Sequence, residues 1–215
     1  MILTPEQEMI RDAMRAFSKE RLAPFASEWD KNHTFPAQAL KELGELGAMG
    51  MVIPEEWGGA GMDYMSLVLT LEEIAAGDGG TSTVISVNNC PVCSIGMAYA
   101  NDAQKEQWLK PLAAGRMLGA FALTEPQAGS DASALRTTAR RDGDHYVLNG
   151  TKQFISGAGY NDVYVAMVRT GDNGAKGISC LVIEKDTPGL SFGAPEKKLG
   201  WNASPTAQVI FEDCR

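Results

Sequence analysis

The chain has 215 residues, 44% of them hydrophobic, enough to bury one large core or two modest ones. Its 19 Lys and Arg stand against 27 Asp and Glu, and the resulting formal charge of −8 argues against nucleic acid or an anionic membrane as the main partner. With 21% charged residues the composition is that of an ordinary globular protein rather than an acidic disordered tail.

Up to about Leu118 the pattern is helical. Thr4-Pro5-Glu6-Gln7 reads as a capping box with proline at the first helical position. Met9, Ile10, Ala13, Met14 and Phe17 then recur at three- and four-residue spacing, which predicts one amphipathic face. Pro36 opens the next predicted helix, with Leu40, Leu43 and Leu46 on one side and Gly47 as the residue that ends it. The glycines of Pro54–Gly61 exclude regular structure there. Three more helices are predicted, at about Tyr64–Ala76, Thr83–Ala100 and Asp102–Ala114, with Gly77–Gly80 separating the first two.

After Gly119 the period switches to two. Asp142-Gly143 marks a hairpin between Thr137–Arg140 and Tyr146–Asn149, because these residues accept positive φ. Val163–Arg169, Ile178–Glu184 and Ala207–Phe211 also read as strands. A run of helices followed by a run of strands predicts an α+β chain of two domains, an all-α domain over 1–118 and an all-β, barrel- or sandwich-like domain over 119–215. No Gly-rich loop joins a strand to a helix, so a Rossmann or P-loop nucleotide site is not expected. The start, MILTPEQEMIRD, lacks the basic and apolar regions of a signal peptide, and no segment approaches the roughly 20 apolar residues of a membrane-spanning helix. A cytoplasmic protein of bacterial type, without a membrane partner, is the expectation.

The four cysteines are too few for a disulfide scaffold and suit free thiols in a reducing compartment. Cys90-Pro91-Val92-Cys93 has redox or zinc spacing, but helical sequence flanks it and further ligands are not at hand. The plainer reading is two small apolar residues in a buried helix. His33 and His145 are the only histidines, so a Ser-His-Asp or Cys-His arrangement is poorly supported, and no metal site is expected.

Two segments carry more information. From Phe121 to Asp131 an apolar strand runs into Thr124, Glu125, Pro126, Gly129 and Ser130, an exit that exposes backbone N–H groups to an anion or to a heterocycle's polar edge. By local chemistry alone a decorated turn is the preferred reading of these residues. In Lys152–Ala158, Phe154 and Ser156 fall on one face of a strand, where one could stack on a flat ring while the other bonds its edge. Core packing explains them equally well.

Taken together, these segments resemble the acyl-CoA dehydrogenase family. Leu123–Pro126 with Gly129-Ser130-Asp131 fits its flavin-side signature, and Leu148–Lys152 with Phe154-Ile155-Ser156 fits the second strand of that site. Pro54–Gly59, Gln104-Lys105 through Leu109, and Gly177–Ser179 through Gly189 extend the likeness along the chain. The runs Gly177–Cys180, Thr187–Gly193, Glu196–Lys198, Gly200–Asn202 and Phe211–Cys214 are similar to the branch that acts on isobutyryl-CoA in valine catabolism, with other short or branched acyl groups open.

The resemblance implies FAD as cofactor, an acyl-CoA as substrate and oxidation to the 2,3-enoyl-CoA, with an electron-transfer flavoprotein taking the electrons. It implies that Phe121, Ala122, Leu123 and Thr124 line the flavin ring, with Gly129 and Ser130 on the pyrophosphate side and Ser130 also facing CoA. Phe154, Ile155 and Ser156 would complete the ring site, with Ser156 at the N5 edge. The family's third, helical domain, which carries the base glutamate and most of a tetramer interface, has no counterpart before Arg215. The expectation is therefore a truncated chain without a catalytic residue of its own and inactive alone. A flavin monooxygenase or nitroalkane oxidase-like enzyme on the same fold, and a non-catalytic binding module, are the alternatives.

Overall fold

The computed structural model describes residues 2–215. The chain forms two compact units, one of residues up to Leu118 with Lys198–Ser204, the other of Gly119–Lys197 with Pro205–Arg215.

The first unit is helical. Helix α1 (Pro5–Phe17) begins in the expected capping box, Gln7 N–H donating to Thr4 Oγ1 at 3.2 Å and Thr4 N–H to Gln7 Oε1 at 3.1 Å. Its buried stripe is narrower than predicted. Met14 is buried and Ile10 and Phe17 pack against the same core, while Met9 and Ala13 face solvent. Positions 10, 14 and 17 stay within one helical face, and positions 9 and 13 lie off it. The chain continues through a wide π-type turn (Ser18–Leu22) into α2 (Ala23–Asn32), a helix that buries no residue and so has no apolar stripe to announce it. The wide turn has a local cause. Pro24 cannot donate a hydrogen bond and its ring crowds the preceding turn, so Ala23 N–H reaches back five residues to Ser18 O. The same device recurs between α7 (Asp102–Gln104) and α8 (Lys110–Ala113), where Lys110 N–H reaches Lys105 O just before Pro111.

In α3 (Ala37–Glu45) Leu40 and Leu43 are buried, but Leu46, in the cap, is exposed. Helix α4 (Tyr64–Gly77) is separated from α5 (Gly79–Val87) by Asp78 alone, not by the four-residue linker predicted. Asp78 Oδ2 accepts from Thr81 N–H and Thr81 Oγ1, both at 2.6 Å, so this carboxylate starts the new helix. Gly79 is inside the helix for a different reason than turn freedom. A Cβ there would lie 2.4 Å from the Trp201 indole nitrogen, so its bare backbone is the seat for that ring.

The long helix predicted to Ala100 breaks at Cys90, whose φ and ψ of −143° and 110° are extended, before α6 (Ser94–Tyr99). A residue preceding proline is pushed out of the helical region, and Pro91 follows. The C-x-x-C pair is thus not two residues of one buried helix, since Cys93 is buried and Cys90 exposed. Two buried amides beside it hold the unit together. Asn89 donates to Ala48 O and Ile85 O and accepts from Met51 N–H, and Asn88 donates to Met49 O and Leu112 O. Among the described residues no helix is long and apolar enough to cross a membrane.

The second unit is one curled seven-stranded sheet. Its strands are β1 (Gly119–Ala122), β2 (Thr138–Asp142), β3 (His145–Ser156), β4 (Val163–Arg169), β5 (Ile178–Glu184), β6 (Leu190–Phe192) and β7 (Thr206–Cys214). Strand order is β1-β4-β2-β3-β7-β6, with β5 paired to the other side of β4. Gly143 turns the β2–β3 hairpin at φ +64°, where Asp142 pairs with His145. Along one edge of β4, β1 pairs in parallel with Val163–Ala166 and β2 meets it at Arg169. The connection between β1 and β2, residues 123–137, therefore leaves and returns to the same edge. Its core includes Tyr164, Val168, Ile155, Val209 and Phe211.

Candidate functional site

That connection and the far end of β3 form the site. β1 delivers Phe121 half-buried and Ala122 into the core, and Leu123 and Thr124 follow half-buried as the strand ends. Thr124 O accepts from Gln153 N–H at 2.8 Å, which joins the loop to β3. Glu125 and Ala128 then exchange both backbone hydrogen bonds at 3.0 Å, closing a tight turn over Pro126 and Gln127. Gly129 and Ser130 stand exposed on the crest, and a Cβ added at Gly129 would meet nothing within 4 Å. The returning limb is gripped by Arg169. Its guanidinium donates to Ser133 O and Leu135 O at 2.8–3.0 Å, and to Asp172 O and Gly174 O across the next loop.

The Glu125 side chain folds back under this loop. Its carboxylate accepts from Lys152 Nζ at 2.7 Å, Thr137 N–H at 2.9 Å, Arg136 N–H at 2.6 Å and Gln127 Nε2 at 2.7 Å. Lys152 Nζ also donates to Leu123 O at 3.0 Å. The two side chains are 0% and 2% exposed, for Lys152 and Glu125 respectively. Burial pushes the Glu125 carboxyl up, but the hydrogen bonds from Lys152 and from the backbone of Arg136 and Thr137 outweigh it and hold it at about 2. Burial lowers Lys152, against the opposing pull of Glu125. The pair stays charged at neutral pH.

On β3 the ladder is irregular where the site lies. Lys152 pairs with Val209 and Ile155 with Ala207, so three steps on β3 match two on β7, a bulge. Phe154 takes up the extra residue at φ +59°, a left-handed conformation that is strained for a side chain of its size. Simple alternation from Lys152 would send Phe154 into the core. The bulge sends Lys152 and Ile155 inward instead and leaves Phe154 60% exposed, with Gln153 and Ser156 half-buried. Gln153 is held on its far side, donating to Glu196 at 2.6 Å and accepting from Gln208 Nε2 at 2.7 Å.

Beyond Ser156 the chain turns sharply. Gly157 has φ +82°, and a Cβ there would lie 2.3 Å from the Asn161 amide, so only glycine fits. Asn161 Nδ2 donates to Gly119 O at 2.7 Å, and the Tyr164 hydroxyl accepts from Gly159 N–H at 2.9 Å. The turn is thereby tied to the start of β1.

The structure brings Thr124 next to the Gln153–Phe154 step and leaves Gly129 and Ser130 on the loop crest. Ala122 and Ile155 belong to the hydrophobic core, so what they can offer a ligand is backbone. Sequence reasoning passed over Lys152, Arg169 and the Glu125 carboxylate as organising groups. The trace was present: a lysine at an inward position of a strand requires a buried acceptor, and a glutamate lay in the neighbouring loop.

Comparison with known proteins adds to this geometry. The family described as "Acyl-CoA dehydrogenase, N-terminal domain" matches residues 4–116, and "Acyl-CoA dehydrogenase, middle domain" matches residues 120–214. The chain is 45% identical to a mitochondrial isobutyryl-CoA dehydrogenase of Dictyostelium discoideum, over 99% of this chain and 51% of that one. It is 44% identical to a mitochondrial short-chain specific acyl-CoA dehydrogenase of Rattus norvegicus, over 99% of this chain and 52% of that protein. Among solved structures, a glutaryl-CoA dehydrogenase from Mycobacterium smegmatis in complex with FADH2 superposes with a TM-score of 0.93 at 35% identity, covering 99% of this chain and 54% of the other. The chain spans about half the length of the curated relatives it matches.

Proposed function

Because the chain belongs to the acyl-CoA dehydrogenase family, we propose that it holds FAD for the α,β-dehydrogenation of a short or branched acyl-CoA, isobutyryl-CoA foremost. The observation that carries this reading is the exposed ring of Phe154, held in a strained bulge beside Thr124. Strain of this kind persists where surrounding contacts over-determine it, and it clusters at ligand sites.

The residues fit the cofactor. Phe154 offers an exposed apolar face on which a flat ring can stack, Thr124 and Ser156 are half-buried hydroxyl residues of the same two segments, and Gly129 leaves open space for close approach of a diphosphate. When bound, FAD supplies the acceptor for the hydride that leaves the β-carbon. The chain's own part is to orient and to exclude water. In this reading Phe121, Leu123 and the backbone of Ala122 and Ile155 wall the ring, Thr124 and Ser156 bond its edge, and Gly129 and Ser130 receive the phosphates, with Ser130 also turned to CoA.

The group that takes the α-proton is not Glu125. Its carboxylate is enclosed, engaged by several donors and held at about 2, far from the range a general base needs near neutral pH. We infer that the base is supplied from outside residues 1–215, that this chain alone does not turn over acyl-CoA, and that in the whole protein electrons pass to an electron-transfer flavoprotein.

The test is flavin binding by the purified chain, read as quenching of FAD fluorescence, together with bleaching of the flavin band of the whole protein by isobutyryl-CoA and butyryl-CoA. Quenching that weakens in Phe154→Ala and Thr124→Ala, with isobutyryl-CoA bleaching faster, supports the reading. A whole protein that carries no flavin, or turnover of isobutyryl-CoA by residues 1–215 with an artificial acceptor, overturns it.

A further inference from the structure

We propose that Lys152 is the positioning residue of the ring site: tied to Glu125 and to the Leu123 carbonyl, its amine sets where Thr124 and Phe154 stand relative to one another. The inference rests on the flavin reading only for what occupies the site.

Thr124 lies between the two groups that Lys152 holds. Leu123, before it, gives its carbonyl to the amine at 3.0 Å, and Glu125, after it, gives its carboxylate at 2.7 Å. An ammonium has three donors in a compact head, and two of them here pin both flanks of a single residue. Next to Lys152 on β3, Gln153 N–H donates to the carbonyl of Thr124 itself at 2.8 Å. The residue after that is Phe154 in its left-handed conformation.

Two sets of ties therefore meet at the bulge. One joins it to the loop through Lys152 and Gln153 N–H, and the other joins the Gln153 side chain to Glu196 and Gln208. The second keeps β3 on β7 and says nothing about Thr124. The first alone relates Thr124 to Phe154, and its charged member is buried under the loop, out of reach of any ligand. Lys152 thus acts through its neighbours. An aliphatic side chain of the same length would fill the space but free the Leu123 carbonyl and leave Glu125 held by Gln127, Arg136 and Thr137 alone.

The experiment separates this role from stability. In the double variant Glu125→Gln/Lys152→Met no charge is left buried alone, so the fold and melting temperature return toward wild type. If Lys152 positions the site, the Phe154 Cα chemical shift still leaves its left-handed value, and FAD binding stays weaker by about tenfold or more despite restored stability. A double variant with the wild-type Phe154 shift and wild-type affinity overturns the proposal.

Should that variant not fold, Lys152→Arg keeps the charge but changes the reach. Exchange of the Gln153 amide then speeds up about tenfold if the amine sets the spacing. An unchanged exchange rate, with Phe154 unmoved, shows that the bulge holds itself and overturns it. Since the chemical shift and amide exchange need no ligand, a whole protein that carries no FAD defeats the flavin reading and leaves the positioning role decided by those two measurements.

Discussion

The amine of Lys152 sits 2.7 Å from the carboxylate of Glu125, with neither side chain reaching solvent. Removing one partner strands the other charge in the interior, whereas removing both leaves a neutral gap. Lys152→Met or Glu125→Gln alone should cost about 3–5 kcal/mol, and the double variant much less than the sum of the two. Urea midpoints of the three variants check this, and additive losses would show that the charges do not depend on one another.

Acid should act through the same carboxylate. A carboxyl held at about 2 when folded, against 4.5 for the ordinary group, adds stability that is fully present above 4.5 and lost as pH falls from 4.5 toward 2. The loss from this group is about 3 kcal/mol over that window. Lys152 has its folded value lowered, so its share runs with pH below its ordinary value of 10.5: stability rises as pH rises through the window between its folded and ordinary values. Urea midpoints between pH 6 and pH 3 should fall steeply in wild type and less so in the double variant.

Phe154 should respond unlike a packed aromatic. Glycine removes the left-handed strain and little buried area, so Phe154→Gly is expected to leave stability unchanged or to raise it by up to about 1 kcal/mol. A Phe in the core would lose about 3–5 kcal/mol on truncation. The same variant should bind flavin less tightly, so the denaturation midpoint and the FAD quenching curve should move in different directions.

Asp78 tests the helical unit on its own. Asp78→Ala deprives Thr81 of its acceptor at the start of α5 and should cost about 1–2 kcal/mol. Amide shifts of β3 and the loop 123–137 should not change. If they do, the cap acts beyond its own helix junction.

Thiol chemistry distinguishes Cys90 from Cys93. Burial pushes the Cys93 thiol up to about 12, and Cys214 is also buried, whereas Cys90 and Cys180 are exposed. Native protein should therefore react quickly with a maleimide at Cys90, more slowly at the exposed Cys180, whose thiol partial burial pushes up, and at all four cysteines only once unfolded. Fast joint oxidation of Cys90 and Cys93 would instead revive a redox reading of that pair.

Much of this architecture is written in short stretches of chain. The Thr4 box, the Pro36–Gly47 helix, the Asp142-Gly143 hairpin, and strands β4 and β5 depend on groups a few residues apart, which composition and period expose. The break at Cys90 was legible only in part, since Pro91 disfavours a helical residue before it, yet Ala23 before Pro24 and Lys110 before Pro111 stay helical. What only the tertiary structure decided depends on partners distant in sequence. Gly79 looks like a linker glycine until Trp201 lies against it, and the acceptor that an inward Lys152 requires is fixed as Glu125 only when the loop folds over β3. The left-handed bulge at Phe154 follows from mismatched steps on β3 and β7, strands joined by about half the sheet, and no local period records such a mismatch.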